Sequence, residues 1–304
     1  MPSSLFLLYK RRDKKMDTVD LYLQDLKTKF SKINPNEYYL SYSGGKDSHL
    51  LYWFIKEYAK IDGIQIVGIN TYMEHPEIRK RIYKNCDKVL LASLKPSEIK
   101  KRYGIPCFSK SQDDFIDRYQ RGCRRKYLLD RIYGKTFIGR DGKEYQSAFN
   151  LNKIAREKLL SGELHRISTE CCTYLKKKPI FKFEKETGLK PILGVRGSEG
   201  IIRKSKYISC FTKDKKFIPL WDLTDELEKQ IYEKYKIELP SIYKHISRTG
   251  CMGCPYGSYK HDTEKELKLL NKKQRDFVCN HFAESYAVLG IDTKNIDTKE
   301  NGDG

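Results

Sequence analysis

Glu37-Tyr-Tyr-Leu-Ser-Tyr42 runs directly into Ser43-Gly44-Gly45-Lys46-Asp47-Ser48, and then into an apolar run with Leu50, Leu51, Trp53, Phe54 and Ile55. The order predicts a strand, a tight glycine loop and the N-terminus of a helix. Two glycines let the backbone turn sharply and approach a ligand closely. The first amides of a helix have no intrahelical partner, and the helix dipole adds partial positive charge there. Such a loop is suited to phosphate or pyrophosphate. Lys46 adds a cation, and Ser43 and Ser48 add hydroxyl donors. Asp47 repels phosphate unless a magnesium ion lies between them. The loop is shorter than a Walker A loop, which needs four residues between its first glycine and the Gly-Lys pair.

Around this centre the chain alternates. A helix is expected over 17–34, a strand over 37–42 and a helix over 47–60. Ile64-Gln-Ile-Val-Gly-Ile-Asn70 reads as a buried strand, 77–85 as a helix after Pro76, and Lys88–Ala92 as a third strand. Alternation of this kind predicts an α/β fold with a parallel sheet flanked by helices. Ligands of such sheets gather at the carboxyl ends of the strands. Pro191–Val195 reads as a further strand that delivers Arg196 to that edge, where a guanidinium suits phosphate oxygens. Arg203 is a second candidate, with a surface salt bridge as its alternative.

The expected organisation is an N-terminal helical extension (1–36), a nucleotide-binding α/β domain (37–210), a helical region with a Cys-x-x-Cys (211–290) and a flexible polar tail (291–304). Residues of about 95–165 read as a less regular insertion over one sheet edge, with an Asp141-Gly142 hairpin turn. Helices are expected over 224–235 and 263–288, with a Cys251–Cys254 hairpin between them.

The chain has nine cysteines. Cys171 and Cys172 are adjacent, and Cys251-Met-Gly-Cys254 is a Cys-x-x-Cys. Nothing in the sequence reads as a secretory signal: Ser4–Tyr9 is too short, and its charges follow rather than precede it. A disulfide framework is therefore not expected, and a metal or redox role gains weight. Adjacent thiolates diverge and chelate one zinc poorly. A 4Fe-4S cluster offers a separate iron to each thiolate, so an adjacent pair suits it better. Zinc and unligated thiols remain the alternatives. Cys107 and Cys123 are spare thiols in basic, turn-rich stretches, where a lowered thiol pKa is expected; inert buried thiols are the alternative.

At 304 residues with 39% hydrophobic content, the chain can bury a real core. No apolar run approaches the ~20 residues of a membrane span. The formal net charge of +20 suggests a polyanionic partner such as tRNA or DNA. Arg118-Tyr-Gln-Arg121-Gly-Cys-Arg124-Arg125-Lys126 mixes guanidinium groups with an aromatic ring, as nucleic-acid surfaces do. A basic outer helix face is the alternative.

Ser43–Ser48 resembles the pyrophosphate loop of the ATP pyrophosphatase (PP-loop) superfamily. Cys171-Cys172-Thr-Tyr-Leu-Lys-Lys-Lys-Pro179, Gly194-Val-Arg196, Pro219-Leu-Trp221-Asp222, Leu239-Pro240-Ser-Ile-Tyr243 and Gly250-Cys-Met-Gly-Cys-Pro255 are similar, in order, to segments of the phosphoadenosine-phosphosulfate and adenylyl-sulfate reductase family. The resemblance runs from about residue 38 to about residue 258. It implies an adenine nucleotide α-hydrolase-like fold with a C-terminal iron–sulfur region. It also implies a nucleotide site at Ser43, Gly44, Gly45, Lys46, Asp47, Ser48, Asn70, Thr71, Arg196 and Arg203, with Glu74 near the adenosine, and cluster ligands Cys171, Cys172, Cys251 and Cys254. Two departures matter. The chain lacks that family's C-terminal nucleophilic Cys, having none after Cys279, and its phosphate loop is intact. Both turn the expectation from sulfate reduction toward ATP use. The expected activity is a cytoplasmic sulfurtransferase of the DNA phosphorothioation or tRNA thiolation type, using ATP, Mg2+ and a 4Fe-4S cluster. Its catalytic candidates are Lys46, Asp47, Arg196, Cys107 and Cys123. Expected partners are a nucleic acid and a sulfur donor such as a cysteine desulfurase, with a homo-oligomer left open. The alternatives are a sulfite-forming reductase served by thioredoxin, and a non-catalytic nucleotide-binding subunit of a modification or defence complex.

Overall fold

A computed structural model describes residues 17–199, 209–258, 262–294 and 296. Helix α1 (Thr18–Phe30) starts at Asp17, whose carboxylate caps the Asp20 amide at 2.9 Å. Strand β1 (Tyr38–Tyr42) leads into α2 (Lys46–Trp53), then β2 (Gln65–Asn70), α3 (Pro76–Asn85) and β3 (Lys88–Leu91). There follow α4 (Pro96–Tyr103), α5 (Lys110–Gln120), α6 (Lys126–Tyr133), β4 (Thr136–Ile138), β5 (Glu144–Gln146) and α7 (Lys153–Leu160). The chain continues through α8 (Glu170–Cys172), α9 (Lys178–Thr187), β6 (Lys190–Ile192) and α10 (Asp225–Lys234) to α11 (Thr263–Lys268), α12 (Lys272–His281) and α13 (Ala283–Leu289).

The expected α/β class is what the chain adopts: a four-stranded parallel sheet, order β3-β2-β1-β6, flanked by helices. β1 and β6 pair with Tyr38 opposite Lys190 and Leu40 opposite Ile192. β4 and β5 form the expected antiparallel hairpin, with Phe137 opposite Tyr145.

The described residues fall into two compact units. The first reaches to Val67 and takes in Cys86–Lys88 and Gly188–Leu239; the second holds Gly68–Asn85, Val89–Thr187 and the residues from Pro240 on. In the first, Phe30 packs against Phe54 at 5.2 Å and edge-on to Phe217 at 5.1 Å, so α1 covers the sheet's aromatic floor. Such pairs add to the burial itself. The buried Lys29 ammonium ties α1 to Asp222 at 2.7 Å and to the Pro219 carbonyl at 3.3 Å.

Several local expectations are corrected. The helix expected over 47–60 is α-helical only to Trp53, and Phe54–Tyr58 widens into a π turn. The helical stretch expected over 263–288 is present, divided into three helices. Asn271 and Gln274 form a reciprocal capping box that restarts the chain as α12. The segment about Cys251–Cys254 is a turn entering a short 3-10 helix (Pro255–Gly257), not a hairpin. Residues 95–165 hold four helices, α4 to α7, besides the expected hairpin. Their apolar stripes are thin because α5 buries Asp113 and Asp117 beside Ile116, which masks the periodicity. Among the described residues no helix is long and apolar enough to cross a membrane.

Candidate functional site

The Ser43–Ser48 loop in the first unit is held by its own side chains. Gly44 sits at φ 74°, the left-handed region that favours glycine. The Ser48 hydroxyl donates to the Gly45 carbonyl at 3.0 Å and accepts the Ser43 amide at 3.2 Å. The Ser43 and Ser48 hydroxyls lie 3.0 Å apart. Helix α2 follows Gly45, a residue with no side chain to cap its positive end. Tyr232 on α10 fixes the loop's far side by donating to the Lys46 carbonyl at 2.7 Å.

β6 and the coil after it bring Gly194 and Arg196 to this loop. A Cβ on Gly194 would lie 2.9 Å from both the Asp47 carbonyl carbon and the Ser48 amide. Backbone atoms cannot swing away as a side-chain end can. Gly194→Ala is therefore expected to displace the loop; with ATP as the loop's proposed ligand, calorimetric titration should show affinity lowered on the order of a hundred-fold, and unchanged affinity would mean that the loop does not bind it.

Arg196 is buried and collects carboxylates. It pairs with Asp47, with Asp225 at 2.6 Å and with Glu228 at 3.2 Å. Lys46 pairs with the same Glu228. Burial, then the neighbouring Asp47 charge, pushes the Glu228 carboxyl up to about 7, against the pull of Lys46 and Arg196. Its second oxygen, Oε1, is buried with no hydrogen-bond partner among the described residues. Two cations and three carboxylates thus meet at one helix N-terminus, and the two cations are the groups that could bind phosphate oxygens once a ligand competes for them.

Asp225 and Glu228 were not legible as site residues. The available signal was weak: Thr224 caps α10, and acids at positions 225 and 228 share one face of its first turn. Such a pattern ordinarily marks a solvated helix start. Arg203 lies outside the described residues.

The second unit holds the remaining candidates. Asn70 donates to the Tyr83 hydroxyl at 2.9 Å and accepts the Tyr72 amide at 2.9 Å. Thr71 is buried; its amide donates to Glu74 at 2.9 Å and its hydroxyl bonds the same carboxylate. Thr71 also hydrogen-bonds the Cys251 thiol, which it helps to hold down. Thr71 therefore faces the cysteine group within this unit.

Cys171, Cys172, Cys251 and Cys254 lie close enough for their charges to act on one another. Burial first, then the nearby Cys251, Cys254 and Cys172, raises the Cys171 thiol. Burial likewise raises Cys251 and Cys254. The π turn Thr173–Lys177 brings in Lys176, whose ammonium is favoured above all by Cys251 and then by Cys172 and Cys254, against burial. The Cys-x-x-Cys turn is anchored at consecutive backbone groups. The Met252 amide donates to the Met73 carbonyl at 2.7 Å, and the Gly253 amide donates to Glu266 at 3.1 Å. The Gly253 carbonyl accepts the Tyr286 hydroxyl. Buried His75 holds the same Glu266 oxygen at 2.7 Å. Gly253 is at φ 56°, and a Cβ there would collide with Tyr286 and Val278. Three of these thiols are raised by burial, and with Cys172 they flank the Lys176 ammonium, a thiol set that fits a group taking four thiolates. Among the described residues no three His, Cys, Asp or Glu side chains are gathered tightly enough to hold a single metal ion.

The lowered pKa expected at Cys107 is reversed. Cys107 is fully buried, and burial and then the Asp113 charge push its thiol up to about 12. The basic residues near it in sequence do not set its surroundings; Asp113, which caps the Cys107 amide at 2.7 Å, does. Cys123 is half-buried at the end of α5, beside Arg118 and Arg121, whose charges are paired with Asp114 and Asp117. Compared with known proteins, the chain matches no family profile and no curated protein.

Proposed function

We propose that this chain is an ATP pyrophosphatase that activates an oxygen of a nucleic-acid acceptor and replaces it with sulfur, with a 4Fe-4S cluster on Cys171, Cys172, Cys251 and Cys254. The observation that carries the reading is the convergence of Lys46, Asp47 and Arg196 on an uncapped helix N-terminus behind a glycine loop. The loop amides, Ser43 and Ser48 would hold the β and γ phosphates, and Asp47 would face them through Mg2+. Arg196 would neutralise charge developing at the α phosphate, the usual electrostatic role in phosphoryl chemistry.

The acceptor oxygen attacks the α phosphorus and pyrophosphate leaves, giving an adenylated acceptor. Hydrosulfide then displaces AMP, which carries the original oxygen away, and sulfur stays on the acceptor. If the donor is a persulfide, the product first remains joined as a disulfide and a second thiol must release it. The cluster, with each of its four irons taken by one of the four thiolates, would order this part of the chain rather than carry the donor sulfur. Cys107 is a poor donor thiol, since it is buried and raised; Cys123 is the better placed of the two because it is half-exposed.

A cysteine desulfurase is the fitting sulfur source, and a reducing, cytoplasmic setting suits the thiols. The sulfite-forming alternative needs a nucleophilic thiolate. Cys279, the last Cys of the chain, sits in α12 with its thiol raised chiefly by burial, which disfavours that use. The cluster assignment is tested by purifying the protein without oxygen. About four iron and four sulfide per chain are expected, with loss of both in Cys251→Ser; zinc bound in their place would contradict the assignment.

A further inference from the structure

The second unit carries a surface that the reaction above does not use. Between Arg118 and Phe149 the chain has nine Lys and Arg against three Asp and Glu. Within that basic stretch the rings are unusually open. Tyr133, Phe137 and Phe149 are 56%, 52% and 67% exposed, and Tyr127 and Tyr145 are exposed as well. Every residue of strands β4 and β5 is exposed, so no core explains their aromatic side chains. A two-stranded hairpin is marginal in water by itself. This one is tied back through Asn150, which bonds the Lys135 backbone at 2.9 Å, and through Arg131, which bonds Ser147 at 2.5 Å.

Rings and guanidinium groups interleave along this face. Arg124 lies 3.7 Å over the Tyr119 ring, and the Tyr119 and Tyr133 hydroxyls meet at 3.5 Å. Arg131 lies 5.0 Å over the exposed Phe149 ring. Phe137 and Tyr145, directly opposite across the hairpin, stack at 6.0 Å. Arg118 bonds the Tyr127 hydroxyl at 2.8 Å. Asp114 and Asp117 offset Arg118 and Arg121 at one end, but Arg124 and Arg131 are spent on ring faces and backbone carbonyls rather than on carboxylates.

We propose that this face binds single-stranded nucleic acid, with unpaired bases stacking on Phe137, Tyr145 and Phe149 and phosphates running along the arginines. Flat rings presented among cations match a strand whose bases are free, because every base has a π face and every linkage a negative charge. A duplex hides its base faces and offers the rings nothing. Protein interfaces also use rings and arginines, and what favours a nucleic acid here is the surplus of nine cations over three anions along the same stretch. The proposal deepens the function given above, on which it rests for the nature of the acceptor, by giving that acceptor a place to bind.

The test is fluorescence anisotropy of the full chain, without ATP, against labelled oligo-dT and oligo-U of about 20 nucleotides and a duplex of the same length. Single strands are expected to bind more tightly than the duplex, with affinity falling as salt rises. Phe137→Ala with Phe149→Ala should weaken single-strand binding roughly ten-fold or more. Both rings are exposed, so thermal melting should not change. Phe181→Ala, an equally exposed ring on α9, should have no effect. Three results would overturn the proposal: no binding, equal loss in the Phe181 variant, or a concentration-dependent dimer that the hairpin variants abolish, which would give the face to a second copy. Because ATP is absent, failure of ATP cleavage would leave this result standing, and failure here would leave ATP cleavage untouched.

Discussion

On the proposed function, ATP cleavage by a chain carrying Lys46→Ala with Ser48→Ala is expected to fall by about a thousand-fold or more, since one change removes the loop's cation and the other the hydroxyl that shapes its amides. Lys46 is the cation of the loop. The buried Ser48 hydroxyl both closes the loop onto the Gly45 carbonyl and receives the Ser43 amide. Its loss loosens the backbone amides that would surround the phosphates, so the two changes act on charge and on shape together. The fold should survive, because the Tyr232 contact is to the Lys46 backbone and remains. Thermal melting alongside the rate assay separates lost chemistry from lost structure. Cleavage at the wild-type rate would remove the loop from the mechanism.

Arg196→Met is expected to produce the largest loss of stability, about 3–5 kcal/mol. The substitution keeps much of the side-chain volume but removes the charge that faces Asp47, Asp225 and Glu228. Asp225 is largely exposed and can return to water, whereas Glu228 is buried and retains only Lys46. The loss should grow as the pH rises past about 7, where Glu228 gives up its proton and leaves a buried carboxylate short of one cation. Urea unfolding at pH 6 and pH 8 would measure this. A small loss that does not depend on pH would mean that the cluster is solvated. Adding Glu228→Gln to the Arg196 variant should recover part of the stability, because the two residues act as a pair.

The strand, glycine loop and helix at residues 38–53 were legible because each piece uses residues with one dominant meaning: a β-rich aromatic run, two glycines and an apolar helical run. Arg196 was legible because a short apolar strand precedes it. Glu228 was not, because a charged residue near a helix start ordinarily faces water, and only the cations beneath it explain its burial. Cys107 was misread for the converse reason: local charge says little about a side chain that folding turns into the core beside Phe108 and Ile116. The helices between 95 and 165 were hidden by inward-facing carboxylates, since Asp113 spends its two oxygens on the Cys107 and Phe108 amides, a use that hydrophobic periodicity does not register. The paired cysteines were visible as a pattern. Lys176, Glu266 and His75, which organise their surroundings, could be found only once the chain was folded.

The central claim is cleavage of ATP between its α and β phosphates. Oxygen-free, iron-loaded protein would be incubated with Mg2+, a sulfide source, unfractionated tRNA or single-stranded DNA, and ATP labelled at the α phosphate, and the products separated. AMP with pyrophosphate, absent from the Lys46→Ala, Ser48→Ala variant, is the predicted result. ADP with inorganic phosphate, or no cleavage of ATP together with sulfite release from adenylyl sulfate, would contradict it.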